Sequence, residues 1–228
     1  MTTLISRTSV RTAAALWAIA GLVYLTGEAI AASAFPHYSY ATNYISDLGV
    51  PDVGTFQDRI IDSPLAWVMN TAFLTQGVLF LLAAIAITRA IRGGPRRSFV
   101  ALAAIHAVGI ILVGLFHGSQ ANSDNGLLVL HAVGAVLAII AGNLAAITGG
   151  FRIGRVVAPV WYRVVSVALG VIGIGSFIML LVDTMSATVN VFAPGIWERT
   201  SVYTIIGWEI MTAIVVAVRL RRGNRELG

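Results

Sequence analysis

Cysteine and lysine are both absent from the 228 residues. Without cysteine there is no disulfide, no thiolate metal site and no cysteine nucleophile. Without lysine no Schiff base to retinal or pyridoxal phosphate can form, and all 15 basic side chains are arginines. Charge of either sign is scarce. Charged residues are 11% of the chain against 57% hydrophobic, and mean hydropathy is +0.86. A soluble domain carries about 25% charge, so this chain cannot cover a water-facing surface and belongs in lipid.

A spanning helix needs about 20 mostly apolar residues. Six stretches meet that requirement, at about 12–34, 65–89, 98–117, 127–149, 158–183 and 200–219. Polar or turn-forming sequence bounds each one: Arg92-Gly93-Gly94-Pro95-Arg96 after the second, Asn122-Ser123-Asp124-Asn125-Gly126 after the third, and Pro159 at the start of the fifth. The expected fold is all-α: a polytopic integral membrane protein whose six transmembrane helices form one domain over residues 1–228.

The formal charge of +5 and the pI near 10.2 acquire a meaning from where the arginines fall. Arg7, Arg11, Arg89, Arg92, Arg96, Arg97, Arg152, Arg155, Arg163, Arg219, Arg221, Arg222 and Arg225 all fall on one side, and Arg59 and Arg199 on the other. That second side also carries Asp47, Asp52, Asp58, Asp62, Asp124, Asp183 and Glu198. Positive residues favour the cytoplasmic side, which predicts cytoplasmic termini and a multi-pass protein of the cell (plasma) membrane. The basic charge is therefore a topology signal, and no nucleic-acid partner is expected. Arg7 and Arg11 followed by an apolar run and Ala32-Ser33-Ala34 also resemble a secretory signal. That run is long enough to span, and it is read as the first helix.

The longest non-helical stretch is 35–63, which opens with Phe35, Tyr38, Tyr40 and Tyr44 in its first ten residues. Long loops in compact domains are usually functional or disordered. This one is rich in aromatics, so it is expected to fold as a lid over the outer mouth of the bundle.

Ionisable groups inside the hydrocarbon are costly and therefore mark candidate sites. Glu28 lies 17 residues beyond Arg11, about 25 Å along a helix, near the outer boundary. His117, His131 and Asp183 fall at a similar depth, so these four are expected to share an outer pocket with Tyr44, Ser46, Asp47 and Arg199. The alternative is that they are solvated helix ends. Deeper lie Gln76, His106 and Glu209, the last ten residues from both Arg199 and Arg219. They read either as a polar track that relays protons, with His106 and His117 on one helix face, or as buried hydrogen bonds that fix helix packing. Gly134, Ala138 and Gly142 form a small-residue stripe suited to close helix contact.

Several chemistries lack their signatures. His117, His131, Asp47 and Asp124 are metal-ligand types, but neither HExxH nor a helical HxxxH pair is present. Membrane ceramidase-like zinc hydrolases are matched in residue type alone. A b561-type bis-histidine haem needs histidine pairs at two depths, and only His117 with His131 are placed to face each other. Ser46 with His117 or His131 has the members of a hydrolase triad but no nucleophile elbow. No cofactor and no metal is expected.

Several stretches resemble a known family. Tyr38-Ser39-Tyr40 followed by Asn43-Tyr44-Ile45-Ser46-Asp47-Leu48-Gly49 is similar to the Ser-Asp-Leu-Gly signature of domain-of-unknown-function family 998. Ser63-Pro64-Leu65-Ala66-Trp67-Val68-Met69-Asn70 resembles its lead into helix 2. His131 and Gly195-Ile196-Trp197-Glu198-Arg199 resemble its remaining polar marks. The resemblance covers most of the chain and implies a six-helix membrane protein of bacteria and archaea, without implying a reaction. Within these motifs, Ser46 and Asp47 are suited to cap a short helix or turn, and Gly49 to let the backbone reverse. An arginine at a helix start opposes the helix dipole, so Arg199 is expected to pair with Asp47 or Glu198 and pin the loop.

Three functions remain open at this level. The leading expectation is an outward-facing polar pocket that binds or moves a small lipidic or amphipathic molecule, with membrane lipids or such a ligand as partner. The second is a hydrolase or transferase acting on a lipid headgroup through Ser46, Asp47, His117 and His131. The third is a structural subunit of a larger membrane complex or homo-oligomer.

Overall fold

The computed structural model describes residues 7–91, 96–153, 158–186 and 191–225; the turn from Arg92 to Pro95 and Arg155 lie outside them. The described chain is helical, with one small hairpin. Its helices are α1 (Arg7–Ala34), α2 (Ala66–Ala90), α3 (Arg96–Leu115), α4 (Gln120–Asp124), α5 (Leu128–Ile153), α6 (Val160–Met185) and α7 (Pro194–Arg225). All but the five-residue α4 are long and apolar enough to cross a membrane, which gives six spans. The protein is an all-α polytopic membrane protein.

The six long helices alternate in direction and close into a ring. α1 packs on α2, α2 on α3, α3 on α5, α5 on α6, α6 on α7, and α7 on α1, while α7 also reaches α5 across the middle. One end of the ring, called here the terminal end, carries the start of α1 and the end of α7. The other, called here the loop end, carries residues 35–65 and α4. Toward the terminal end the core is an aromatic cluster, with ring centroids of Trp17 and Phe80 at 5.3 and 6.0 Å from Trp208, and Phe99 at 6.3 Å.

Helix boundaries shift from the sequence expectation for local reasons. α7 starts at Pro194 instead of 200, because proline at the first helical position loses no intrahelical hydrogen bond. α3 stops at Leu115, so His117 lies past its end and not on its face. There Ser119 adopts extended backbone and accepts the Asn122 N–H, capping α4.

The segment 35–63 is more regular than the sequence suggests. Ser46–Gly49 forms a 3-10 turn, and β1 (Gly54–Phe56) pairs antiparallel with β2 (Arg59–Ile61) in the register Gly54↔Ile61, Phe56↔Arg59. Gln57 and Asp58 make the connecting turn with φ of 49° and 61°. Both φ > 0 identifies a primed hairpin turn, which normally selects Asn-Gly. Ile45, Leu48, Val50, Phe56 and Ile61 are all buried, so the segment folds down over the loop end.

Replacing Gln57-Asp58 with Asn-Gly should relieve the left-handed backbone cost and stabilise the hairpin by about 1 kcal/mol. The check is slower proteolysis or slower amide exchange across 54–61, and unchanged exchange would show that the hairpin does not open through its turn.

Candidate functional site

Three polar centres lie between the loop end and the middle of the bundle, and they differ in how fully their atoms are satisfied. The first is a clamp around Arg199, in the opening turns of α7. Its Nε donates to Glu28 Oε1 at 3.2 Å, and Nη1 donates to the carbonyls of Tyr40 and Asn43 at 2.7 Å each and of Gly195 at 3.3 Å. Nη2 donates to the Tyr38 hydroxyl, which in turn donates to the Tyr44 carbonyl at 3.0 Å. The guanidinium also lies over the Tyr40 ring, 4.8 Å from its centroid. Glu28 Oε2 accepts the Tyr203 hydroxyl at 2.8 Å. Burial pushes the Tyr38 phenol above its usual range, with Arg199 partly offsetting it, so it stays a neutral acceptor and donor.

The expected loop pin therefore exists with a different partner. The carboxylate on Arg199 is Glu28, while Asp47 pairs with Arg59 and Glu198 accepts the Ile45 backbone N–H. The hairpin arginine takes Asp47 and the loop backbone takes Glu198, while Glu28 reaches the guanidinium from α1 because α1 and α7 pack side by side. Gly195 makes the clamp possible. A Cβ there would fall 2.7 Å from the Ala41 carbonyl oxygen, so a larger residue would push the loop carbonyls off Arg199.

The second centre is a groove of about 220 Å³ between the 3-10 turn, the hairpin and the loop ends of α5 and α6. Tyr44, Ser46, Asp47, Arg59, His131 and Glu198 supply its polar wall, and Leu128, Ala132 and Leu180 its apolar one. Asp47 is buried and accepts Arg59 Nε at 3.0 Å, Arg59 Nη2 at 3.2 Å and the Tyr44 N–H at 3.0 Å. Arg59 stacks 4.3 Å from the Tyr44 ring centroid, and its Nη1 makes no hydrogen bond among the described residues. His131 Nδ1 meets the Phe116 carbonyl at 2.7 Å, and a carbonyl only accepts, so Nδ1 carries a hydrogen and Nε2 is left toward Gly118 on the groove wall.

Gly49 plays a part other than the one its type suggests. Among the described glycines the positive φ belongs to Gly126, so Gly49 does not reverse the chain through a left-handed conformation. A Cβ at Gly49 would run into the Asn70 amide, whose Nδ2 donates to the Gly49 carbonyl at 2.8 Å. Ser63 Oγ donates to the Leu48 carbonyl at 2.7 Å, so the lead into α2 satisfies buried carbonyls of the turn.

Ser46, His131, Ala135 and Glu198 also line a smaller cavity of about 50 Å³ that continues inward between Phe73, Ile110, Val113 and Ile205. Its deepest polar member is His106, in the third centre. There Gln76 Nε2 donates to Glu209 Oε1 at 2.6 Å, Gln76 Oε1 meets His106 Nε2 at 3.1 Å, and His106 Nδ1 meets the Ala138 carbonyl at 2.7 Å. All three side chains are at most 2% exposed.

The structure thus divides the expected outer pocket. Tyr44, Ser46, Asp47 and His131 line the groove; Glu28 and Arg199 form the clamp beside it. His117 meets the Asn70 amide at 3.2 Å, Asp183 accepts the Trp197 indole N–H at 2.7 Å, and neither lines the groove. Gln76, His106 and Glu209 form one chain, but its way to the loop end runs through the cavity to His131 and not along α3 to His117. Arg59 and Glu198 complete the groove and were not singled out for it in the sequence, since nothing local ties Arg59 to a carboxylate twelve residues earlier. Asn143 was missed as well. It bonds the Ser201 carbonyl at 2.9 Å and Thr204 at 2.8 Å, joining α5 to α7. Among the described residues no group of three His, Asp or Glu side chains is placed to hold a metal ion.

Two larger apolar grooves, about 590 and 490 Å³, flank α7 toward the terminal end, with Arg219 beside one and Arg11 and Arg221 beside the other. Their walls are otherwise aliphatic, aromatic or glycine and proline, so they offer shape without chemistry.

Fold and site together describe a six-helix membrane protein with a polar groove under a structured interhelical loop. The chain belongs to the DUF998 family, described as a protein of unknown function, whose family model matches residues 18–215. Comparison with curated proteins and with solved structures finds no match.

Removing one member of a buried ion pair costs about 3–5 kcal/mol, because its partner is left charged and unpaired. Arg199→Gln should therefore lower thermal stability sharply, and adding Glu28→Gln should restore part of the loss; two additive losses would disprove the coupling. His117 supports a second expectation. Burial lowers its affinity for protons, Asp52 partly opposing this, so its folded pKa lies below the unfolded value of about 6.5. Its contribution to stability is then complete above that value and is lost as pH falls through the folded one. His117→Gln should flatten the acid side of the melting-temperature profile, whereas superimposable profiles would assign the acid loss to other groups.

Proposed function

We propose that this protein binds a small amphipathic molecule of the outer leaflet of the plasma membrane, headgroup in the groove and apolar part against α5 and α6. The orientation rests on the arginines, which gather at the terminal end and favour the cytoplasm. The observation that carries the reading is a pair of cavities that share Ser46, His131, Ala135 and Glu198 while their walls change from charged to apolar. The outer one holds Arg59 and Asp47, and the inner one is closed by Phe73, Ile110, Val113 and Ile205. Pockets that combine apolar lining with a few convergent polar groups are those that hold small ligands. Arg59 Nη1 gives the headgroup a donor, which favours an acceptor-rich or anionic head. The reading needs no cofactor.

One observation favours an enzyme acting on the same headgroup. Because the Phe116 carbonyl fixes the hydrogen on His131 Nδ1, Nε2 of the neutral ring is left as an acceptor, and His131 and Ser46 line the same two cavities. Those are the residue types of a general base and a hydroxyl nucleophile.

Native mass spectrometry of the protein extracted in mild detergent separates these readings. A bound amphiphile should survive on the wild type and fall at least about tenfold, or 1.4 kcal/mol, in both Arg59→Gln and the groove-filling Ser46→Trp. Equal occupancy in all three proteins would place that amphiphile elsewhere and refute the groove. Labelling by a fluorophosphonate that disappears in Ser46→Ala and in His131→Gln would instead establish the hydrolase reading.

A further inference from the structure

The chain of Glu209, Gln76 and His106 obeys a hydrogen count that packing alone does not impose. The Ala138 carbonyl accepts and never donates, so His106 Nδ1 must carry a hydrogen. With the Gln76 amide as it stands, its oxygen faces His106 Nε2, which must then carry a hydrogen as well, while its NH2 donates to a Glu209 carboxylate. Turning the amide over gives the other complete pattern. The NH2 then donates to a bare Nε2, and the oxygen accepts a hydrogen from Glu209 Oε1. The two arrangements contain the same atoms; one proton has moved from Nε2 of His106 to Oε1 of Glu209. With no proton, one junction sets two acceptors against each other. With two, the extra hydrogen must sit on Glu209 Oε2, which is buried and has no hydrogen-bond partner among the described residues.

We propose that Glu209, Gln76 and His106 are a proton-binding site of the bundle that holds a single proton, on the imidazole or on the carboxyl, in exchange with the loop-end cavity. The site is one-sided. Toward the termini the Phe80 ring packs 4.6 Å from the imidazole and 6.0 Å from Trp208, at the head of the aromatic cluster. Toward the loop end His106 lines the cavity that Tyr24 faces from α1, His131 from α5 and Glu198 from α7. Those three are the titratable groups around the opening, and two of them, His131 and Glu198, also line the groove. Gly142 keeps the imidazole in place, since a Cβ there would fall 2.7 Å from Nδ1. The site stands on hydrogen-bond geometry and does not depend on what the groove binds.

The experiment is magnetic resonance on the full-length wild type in bilayers, with 15N-labelled histidine and 13C-labelled glutamate. His106 Nδ1 should remain protonated throughout. The fraction of His106 bearing a hydrogen on Nε2 and the fraction of Glu209 in the acid form should sum to one from about pH 5 to 8, the range in which a free histidine titrates. A sum that drifts toward zero or two across that range would overturn the proposal. In Glu209→Gln the Nε2 hydrogen should be absent at every pH in the range; its persistence would also overturn it.

Discussion

A guanidinium that cannot lose its charge stands in the first turns of a membrane-spanning helix, where the helix dipole opposes it. Everything at the loop end follows from satisfying Arg199. Lipid offers it no acceptors, so the bundle and the loop must supply them. Glu28 brings a charge from α1, and the chain from Tyr38 to Asn43 turns its carbonyls and one hydroxyl inward. Glu198, the residue before it, takes the Ile45 N–H, so neighbouring residues of α7 hold successive parts of the same loop. That fixes where the Ser-Asp-Leu-Gly turn begins, and with it the position of Asp47, the hairpin arginine it pairs with, and the groove between them.

Clamp and groove are both polar and adjacent, yet they differ in saturation. Each nitrogen of Arg199 has an acceptor, and both oxygens of Glu28 have donors. A centre so complete contributes rigidity and has nothing left to offer a ligand. In the groove, Arg59 spends Nε and Nη2 on Asp47 and keeps Nη1, while His131 spends Nδ1 on a carbonyl and keeps Nε2. Under the proposed function, that remainder is what a headgroup would meet. A rigid clamp holding a partly unsatisfied site is the arrangement expected where geometry must be kept without a ligand in place.

The spans were legible because apolar runs of membrane length admit few other structures. The midplane chain was legible for a related reason: counting residues from flanking arginines gives depth, and Gln76, His106 and Glu209 share one. Azimuth cannot be counted in that way. Depth put Glu28, His131 and Asp183 in one layer, but the ring of helices turned Glu28 to Arg199 and Asp183 to Trp197. The hairpin was invisible because Gln57-Asp58 takes the two left-handed positions without the Asn-Gly that usually announces them. Arg59 was therefore missed with it. Gly49 and Gly195 were legible as motif members but not in their role, since glycine chosen for close approach looks in sequence like glycine chosen for its φ.

The small-residue stripe of α5 carries more than helix packing. Gly109 on α3 meets the backbone at Gly134 and Ala138, and this closeness lets His106 reach the Ala138 carbonyl and fixes the hydrogen on Nδ1. Packing thereby sets the tautomer, and the tautomer sets what Gln76 and Glu209 can do. Glue between helices would need less. An amide at position 209 would accept the same hydrogen from Gln76 and would never place a charge in the centre of the bundle. The carboxyl there, buried, with Oε2 unpartnered and an imidazole at the other end of one rotatable amide, exceeds what holding the helices together requires. What distinguishes it from an amide is room for one proton that can sit on the carboxyl or, with the amide turned over, on the imidazole.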